Sequence, residues 1–133
     1  MKYLQDYLSE KQSALLKKYG VFFAFSEKQW NEGVNPELTK ADYSAVMGGY
    51  CPTKNAAEFI VEHAKVVQAA VAEDVAENGL QAIIIRELNN HECYCTGDIY
   101  DAVEALKLYN VPAEEVNKVF NNQKHTPEVL DNL

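Results

Sequence analysis

The sequence predicts an α+β fold: a single, mainly helical domain with a small β-sheet. Apolar residues recur at three- and four-residue spacing through most of the chain, which is typical of amphipathic helices. Two short segments rich in aromatic and β-branched residues, 21–25 and 43–51, favour strands instead. The 133 residues, 47% of them hydrophobic and 24% charged, suffice for one globular domain with a buried core. We expect residues 1–20 to form an N-terminal helix, 21–122 the core and 123–133 a frayed tail.

The first predicted helix spans residues 2–19, where apolar residues recur every three or four positions. Gly20 follows at the position where a left-handed helix cap is easiest for glycine, so we expect the helix to end there. Residues 21–25 come next and are β-branched or aromatic apart from one alanine. They predict a short buried strand.

A capping signal follows at Ser26, three residues before Gln29. The serine oxygen and the glutamine side chain can each satisfy backbone N–H groups that a helix start leaves free, so a short helix should begin here and end at Gly33. Residues 43–47 then predict a second strand. The Gly-Gly pair at 48–49 predicts a turn or bulge after it.

The longest predicted helix follows Asn55, whose side chain is suited to cap it, and ends at Gly79. Its apolar stripe consists of Phe59, Ile60, Ala64, Val67, Ala70, Val71 and Val75. His63 falls within this stripe. We expect it to be a core histidine with satisfied hydrogen bonds rather than a ligand to a metal.

The last third of the chain predicts three more helices. Residues 80–94 have helical spacing of apolar positions, although the isoleucine run at 83–85 makes a strand the competing interpretation. Asp98 is placed to cap the next helix, which Asn110 should end. Pro112 suits the first turn of the final helix, where its missing N–H is not needed, and the acidic residues after it complement the helix dipole.

The charge of the chain is lopsided. The net charge is −8; residues 1–68 hold eight acidic and eight basic side chains, whereas 69–133 hold twelve acidic and four basic ones. This excludes a clustered basic surface for phosphate binding, so we expect no direct nucleic-acid binding. An acidic face can instead meet a basic protein. The residues we expect to form that acidic interaction face are Glu73, Asp74, Glu77, Asp101 and Glu104.

A cytoplasmic location is expected by elimination. The N-terminus lacks a basic region followed by an apolar stretch, and no apolar run approaches the length of a membrane span, so we predict neither a secretory signal nor a membrane contact. The odd number of cysteines, Cys51, Cys93 and Cys95, fits a reducing compartment.

One stretch, residues 86–98, concentrates the residue types that carry chemistry. The candidate polar site within it consists of Glu87, Asn90, His91, Glu92, Thr96 and Asp98. On a helix, Glu87 and His91 lie four residues apart on one face, beside the apolar stripe and therefore partly buried. Buried polar groups require partners.

Three interpretations of this stretch compete. The favoured one is a buried polar network, in which Glu87 and His91 pair with each other, with Arg86 or with a tyrosine hydroxyl. A transition metal bound by Glu87 and His91 is less favoured, because the Cys-x-Cys spacing does not suit zinc and no second ligand pair stands out. A thiolate nucleophile at residue 93 or 95 is the least favoured, because no orienting third group is present. We therefore expect no cofactor.

Two segments carry a resemblance to a known family. They are 23–33, Phe-Ala-Phe-Ser-Glu-Lys-Gln-Trp-Asn-Glu-Gly, and 87–98, Glu-Leu-Asn-Asn-His-Glu-Cys-Tyr-Cys-Thr-Gly-Asp, with the glycines at 48–49 between them. This pattern resembles a family of small uncharacterised proteins from bacteria, bacteriophages and other mobile elements. The similarity covers most of residues 21–108, and its most specific part is the Asn-His-Glu…Thr-Gly-Asp block. The cysteines depart from that family's pattern, in which aromatic or aliphatic residues are frequent.

The resemblance implies a biological setting rather than a reaction. Small phage-associated proteins often bind host proteins, including those of defence systems. The leading hypothesis is therefore a non-enzymatic acidic binding protein that targets a host protein. The alternatives are a small ligand- or metal-binding protein or enzyme that uses Glu87, His91 and Asp98, and a structural homo-oligomer.

Overall fold

A computed structural model describes residues 1–123 and confirms the predicted α+β, mainly helical fold. The α-helices are α1 (Leu4–Tyr19), α2 (Glu27–Gly33), α3 (Thr53–Asn78), α4 (Leu80–Asn90), α5 (Cys93–Thr96), α6 (Tyr100–Leu106) and α7 (Ala113–Gln123). Two antiparallel strands, β1 (Tyr43–Val46) and β2 (Gly49–Pro52), form the sheet, and 3-10 turns span Lys40–Asp42 and Lys107–Tyr109. Of the predicted frayed tail, residues 124–133 lie outside the described residues.

The chain divides into two compact units. Among the described residues, one consists of 2–70, and the other of Met1 with 71–123. Helix α3 contributes residues to both. The single-domain organisation expected from the length stays a prediction.

The start of the first unit follows the sequence prediction. Helix α1 ends at Gly20, which adopts the left-handed conformation with φ 72°. The core beside it contains the buried side chains of Tyr19, Val46, Cys51 and Phe59. Two contacts fix Tyr19 further: its hydroxyl donates to Glu58 Oε1 at 3.0 Å, and its carbonyl accepts from Asn55 Nδ2 at 3.1 Å.

The predicted buried strand at residues 21–25 is wrong. Only Phe22 pairs with the sheet, through an isolated bridge to Tyr50, while the side chains of Phe23 and Phe25 are 44% and 86% exposed. The cause is the helix start that follows. The Phe25 N–H donates to Gln29 Oε1 at 2.7 Å, which turns the chain into α2 instead of along the sheet. The cap itself is confirmed, because Ser26 Oγ accepts from the Gln29 N–H at 3.2 Å.

The two strands form a hairpin with a two-residue loop. Val46 pairs with Gly49, and the loop residues Met47 and Gly48 both have positive φ angles, 50° and 80°. Positive φ at both loop positions defines a type I′ turn, which matches the twist of the strands. The predicted strand is confirmed, but the turn lies one residue earlier than predicted, at Met47 and Gly48, and Gly49 begins β2. A non-glycine residue thus occupies a left-handed position.

Two predictions about helix α3 are wrong in part. It begins at Thr53, so Asn55 lies inside it and does not cap it; its side-chain amide binds the Tyr19 carbonyl instead. The apolar stripe holds at Phe59 and Ala70, which are buried, but three of its predicted members, Ile60, Ala64 and Val75, are exposed. Exposed aliphatic side chains are normal on protein surfaces. The predicted stop at Asn78 and Gly79 is confirmed.

The histidine of α3 has the partners that a core histidine requires. His63 is half-buried, and its Nε2 lies 3.0 Å from Nε2 of Gln12. Its ring lies 5.5 Å from that of Phe59. The expectation of a satisfied side chain is confirmed.

In the second unit the structure confirms the helical interpretation of residues 80–94 and not the competing strand. Helix α4 nevertheless ends at Asn90, because Glu92 takes a left-handed conformation with φ 56° that interrupts it before α5 begins. Asn110, with φ 58°, ends the turn after α6, and Pro112 precedes α7, both as predicted. The buried side chains of this unit include Ile83, Ile84, Leu88, Ala102, Leu106, Val116 and Val119.

In residues 1–123 no helix has the length and apolarity that crossing a membrane requires.

The hairpin gives a first testable prediction. A left-handed φ costs an L-residue other than asparagine or aspartate roughly 1–2 kcal/mol, and Asn-Gly is the favoured type I′ pair. Met47→Asn should therefore raise the free energy of unfolding by about 1 kcal/mol, measured by urea denaturation. Met47→Ala, which keeps the left-handed penalty, is the control. A gain of equal size in both variants would contradict the turn assignment.

Candidate functional site

The most polar part of the protein interior lies in the second unit. Three charged side chains are buried there: Asp74 on α3, and Arg86 and Glu87 on α4. Burying an unpaired charge is costly, so each must find partners.

Arg86 is the centre of this cluster. Its Nη1 lies 2.9 Å from Asp74 Oδ1 and its Nη2 lies 3.0 Å from Asp74 Oδ2, the bidentate arrangement in which a guanidinium matches a carboxylate. The other side of the guanidinium binds Glu87, with Nε and Nη2 at 3.1 and 3.0 Å from Oε1. The contact with Asp74 thus joins α4 to α3, and Glu87, the next residue on α4, supplies a second carboxylate within the same helix.

Tyr109 and Asn78 complete the coordination of Asp74. The Tyr109 hydroxyl donates to Asp74 Oδ2 and accepts from Arg86 Nη2 at 3.3 Å. Asn78 Nδ2 donates to Asp74 Oδ1 at 2.8 Å. Each oxygen of the Asp74 carboxylate therefore accepts two hydrogen bonds. A carboxylate with all its lone pairs engaged is not available as a general base.

His91 lies at the rim of the cluster. Its Nε2 is 3.5 Å from Glu87 Oε2, and its side chain is half-buried. The predicted buried network of Glu87, His91, Arg86 and a tyrosine hydroxyl is therefore present. We refer to Asp74, Asn78, Arg86, Glu87, His91 and Tyr109 as the Arg86 network.

The environment fixes the protonation states of the central groups. Burial raises the pKa of Asp74, but hydrogen bonds from Arg86, Tyr109 and Asn78 outweigh it, and the net shift is downward from 3.8. Burial, reinforced by the hydrogen bond to Asp74, raises the pKa of Tyr109 well above 10.0. At neutral pH the carboxyl is ionised and the phenol protonated, which is the pairing the geometry shows.

Sequence reasoning missed Asp74 as a member of this network. It was assigned to an exposed acidic face, and that assignment is wrong because its side chain is fully buried. A signal was present: Asp74 follows Val67, Ala70 and Val71 by seven, four and three residues, which places it on the apolar stripe of α3. The other proposed members of that face, Glu73, Glu77, Asp101 and Glu104, are exposed.

Four residues of the candidate polar site, Asn90, Glu92, Thr96 and Asp98, do not join the network. All four side chains are exposed. Thr96 Oγ1 accepts from the Asp98 N–H at 3.1 Å, and Asp98 Oδ1 accepts from the Tyr100 N–H at 2.9 Å, so the two residues shape the turn into α6. The prediction that Asp98 caps this helix is wrong, because Ile99 occupies the cap position and Asp98 binds the Tyr100 N–H from the residue before it. Of the six predicted site residues, only Glu87 and His91 belong to the Arg86 network.

The structure gives the metal and thiol alternatives little support. Throughout residues 1–123, histidine, cysteine, aspartate and glutamate side chains form no group of three or more arranged to hold a metal ion. Cys93 is buried, and this burial raises the pKa of its thiol, which opposes formation of a nucleophilic thiolate. Cys95 is exposed.

Comparison with known proteins places the chain in a family without assigning it a role. The family model that matches is described as a family of unknown function (DUF7659), and it covers residues 4–126. Neither the curated proteins nor the solved structures gave a significant match.

The network predicts that Asp74→Asn strongly destabilises the protein. The substitution removes the charge that balances Arg86 and leaves an amide N–H₂ where the guanidinium and the Tyr109 hydroxyl donate. Breaking a buried ion pair costs about 3–5 kcal/mol, and we expect a loss of this size in urea unfolding. Glu92→Gln, which removes an exposed carboxylate, is the matched control and should change stability by less than about 0.5 kcal/mol. Equal effects of the two substitutions would contradict the role given to Asp74.

The depressed pKa of Asp74 also predicts how stability depends on pH. A carboxyl with a lower pKa in the folded state binds protons more weakly there, so it stabilises the fold above the unfolded value of 3.8 and loses this contribution as pH falls toward the folded value. We expect the free energy of unfolding of the wild type to decline more steeply below about pH 4 than that of Asp74→Asn. Urea unfolding at a series of acidic pH values measures this. Parallel curves for the two proteins would contradict the assignment.

Proposed function

We propose a binding function for this chain, which belongs to the DUF7659 family of unknown function. In this proposal it is a non-enzymatic accessory protein of a phage or another mobile element, and it binds a positively charged host protein. The mobile-element setting rests on the resemblance carried by residues 23–33 and 87–98. The nature of the partner rests on the charge that the fold leaves exposed.

One observation carries the proposal: the surface of residues 71–123 has many more carboxylates than cations. The only arginine of the chain is buried between Asp74 and Glu87, so it adds no positive charge to that surface. The carboxylates of residues 71–123 that remain outside the network are Glu73, Glu77, Glu92, Asp98, Asp101, Glu104, Glu114 and Glu115. The basic residues that oppose them there are Lys107 and Lys118, and Lys107 already pairs with Glu104 at 2.7 Å.

The exposed carboxylates follow helical spacing. Glu73 and Glu77 are four residues apart on α3, and Asp101 and Glu104 are three apart on α6, so each pair lies on one face of its helix. Clustered charge of one sign attracts a partner of opposite charge over roughly a Debye length and raises the association rate. A basic protein surface is the chemistry that such a face complements.

A basic groove that binds nucleic acid is the kind of host surface this proposal favours. Such grooves present clustered lysine and arginine side chains to phosphates, and a carboxylate-rich protein can occupy them in place of the nucleic acid. Inhibition of a host defence protein that acts on nucleic acid would follow from this occlusion. A ligand or metal site at Glu87, His91 and Asp98 is less favoured, because Glu87 Oε1 accepts two hydrogen bonds from Arg86 and Asp98 Oδ1 accepts the Tyr100 N–H.

The experiment is a quantitative pull-down from bacterial lysate that compares the wild type with an acidic-face variant. This variant combines three charge-reversal substitutions, Glu73→Lys, Glu77→Lys and Asp101→Lys. The matched control reverses Glu10, Glu32 and Glu37, which are exposed residues of the first unit. Both variants change the net charge equally, so any difference between them reports the location of the charge.

We expect the wild type and the control variant to retain the same partner proteins, and high salt to release them. The acidic-face variant should lose these partners. Circular dichroism checks that both variants stay folded. Equal loss in the two variants would show that only net charge matters. Unchanged retention in both would remove the electrostatic argument.

A further inference from the structure

A second feature of the molecule lies in the first unit and is unrelated to the acidic face. Four half-buried aromatic rings, those of Phe22, Trp30, Tyr43 and Tyr50, cluster on one side of the hairpin. The ring centroids of Trp30 lie 4.9 Å from Tyr50, 5.3 Å from Tyr43 and 5.5 Å from Phe22. Tryptophan and tyrosine are the side chains most enriched at the energetic centres of protein interfaces.

The hairpin places these rings on the side of the sheet opposite to the core. Side chains alternate along a strand, so Val46 and Cys51 enter the core while Tyr43, Ala45 and Tyr50 share the other face. An open cavity of about 820 Å³ lies over this second face. Its lining includes Phe25, Glu27, Trp30, Lys40, Tyr43 and Tyr50, and we call it the aromatic groove.

One wall of the aromatic groove is a strand edge with unused backbone groups. Tyr50 makes two backbone hydrogen bonds with Phe22. The Tyr50 N–H donates to the Phe22 carbonyl at 2.8 Å, and the Tyr50 carbonyl accepts from the Phe22 N–H at 2.9 Å. Backbone groups of consecutive residues point to alternate sides, so the neighbours of Tyr50 face β1. Ala45, the partner of Tyr50 in register, must therefore turn its own N–H and C=O to the outer edge of β1.

That outer edge is open within residues 1–123. The sheet there consists of β1 and β2 alone, and the bridge from Phe22 joins β2 on the side away from β1. Ala45 is exposed and lines the groove, so a second backbone can approach it closely. An exposed strand edge is a template for pairing with another chain.

The charges of the groove select against a charged occupant. Its lining contains one carboxylate, Glu27, and one ammonium group, Lys40, so it has no net charge. Lys40 Nζ lies 5.6 Å from the centre of the Trp30 ring, a cation–π contact made by an exposed and therefore displaceable side chain. Phe25, at the rim, is free to close over an apolar ligand because its side chain is almost entirely in solvent.

We propose that the aromatic groove binds a short, extended, uncharged segment of a partner protein by strand addition at β1. The backbone of the segment exchanges hydrogen bonds with the N–H and C=O of Ala45, and one apolar side chain of the segment packs against Trp30 and Tyr50. Strand addition of this kind derives affinity from main-chain hydrogen bonds and specificity from pockets for alternate side chains. The inference does not depend on the acidic face.

The test uses a phage-displayed library of random ten-residue peptides, selected on the full-length protein. The best peptide is synthesised, and its binding is followed by the fluorescence of Trp30, the only tryptophan of the chain. Two variants remove the proposed contacts: Phe25→Ala takes away the exposed ring, and Ala45→Pro takes away the outward N–H, a change that edge strands tolerate. Phe23→Ala is the matched control, because this exposed ring does not line the groove.

We expect selected peptides with apolar residues at alternate positions, whose binding shifts the tryptophan fluorescence. Phe25→Ala and Ala45→Pro should each weaken binding about tenfold, and Phe23→Ala should not. N-methylation of the peptide at alternate amides should abolish binding in one register only, which tests strand pairing even if Ala45→Pro disturbs the fold.

Three results would overturn the proposal. The first is a selection that enriches no peptide over a protein-free control. The second is a peptide whose binding neither N-methylation nor the two groove variants affect. The third is a dimer in native mass spectrometry that Ala45→Pro dissociates, which would assign the edge to a second copy of the chain.

Discussion

The second unit depends on one constraint, which is that the charge of Arg86 is buried. A guanidinium in the protein interior is tolerated only when its donors are satisfied and its charge is balanced. Asp74 does both through its bidentate contact, Glu87 adds the second carboxylate, and the Tyr109 hydroxyl fills the space between them. Because these groups come from α3, α4 and the turn after α6, their relative positions are specified by hydrogen bonds as well as by apolar packing.

The acidic surface has a separate origin in the composition of the second unit. The network buries two carboxylates together with one guanidinium, so it supplies no cation to the exterior. The eight other carboxylates of residues 71–123 are opposed there by Lys107 and Lys118. Glu87 and His91 of the candidate polar site join the Arg86 network. The surfaces that we propose for recognition are the exposed acidic residues and the aromatic groove.

The sequence predicted the helices well because their signals are local. Gly20, the Ser26 cap, the stop at Gly79 and Pro112 each act within one helical turn, and the structure confirms all four. The strand at 21–25 failed because a local capping bond at Phe25 outweighed the β propensity of its side chains. The Arg86 network was predicted only in part, since Asp74 and Tyr109 lie 12 and 23 residues from Arg86 and no local pattern links them. The aromatic groove was not predicted either, because its rings come from separate segments that no local pattern links.

The most direct test of this account is a double-mutant cycle between Asp74 and Arg86, with the free energies of unfolding of Asp74→Asn, Arg86→Gln and the double variant measured by urea denaturation. If the two side chains stabilise the fold as a pair, the double variant should lose less than the sum of the single losses, by about 2 kcal/mol or more. Additive losses would show that the two charges act independently. The Arg86 network would then not be the interaction on which the second unit depends.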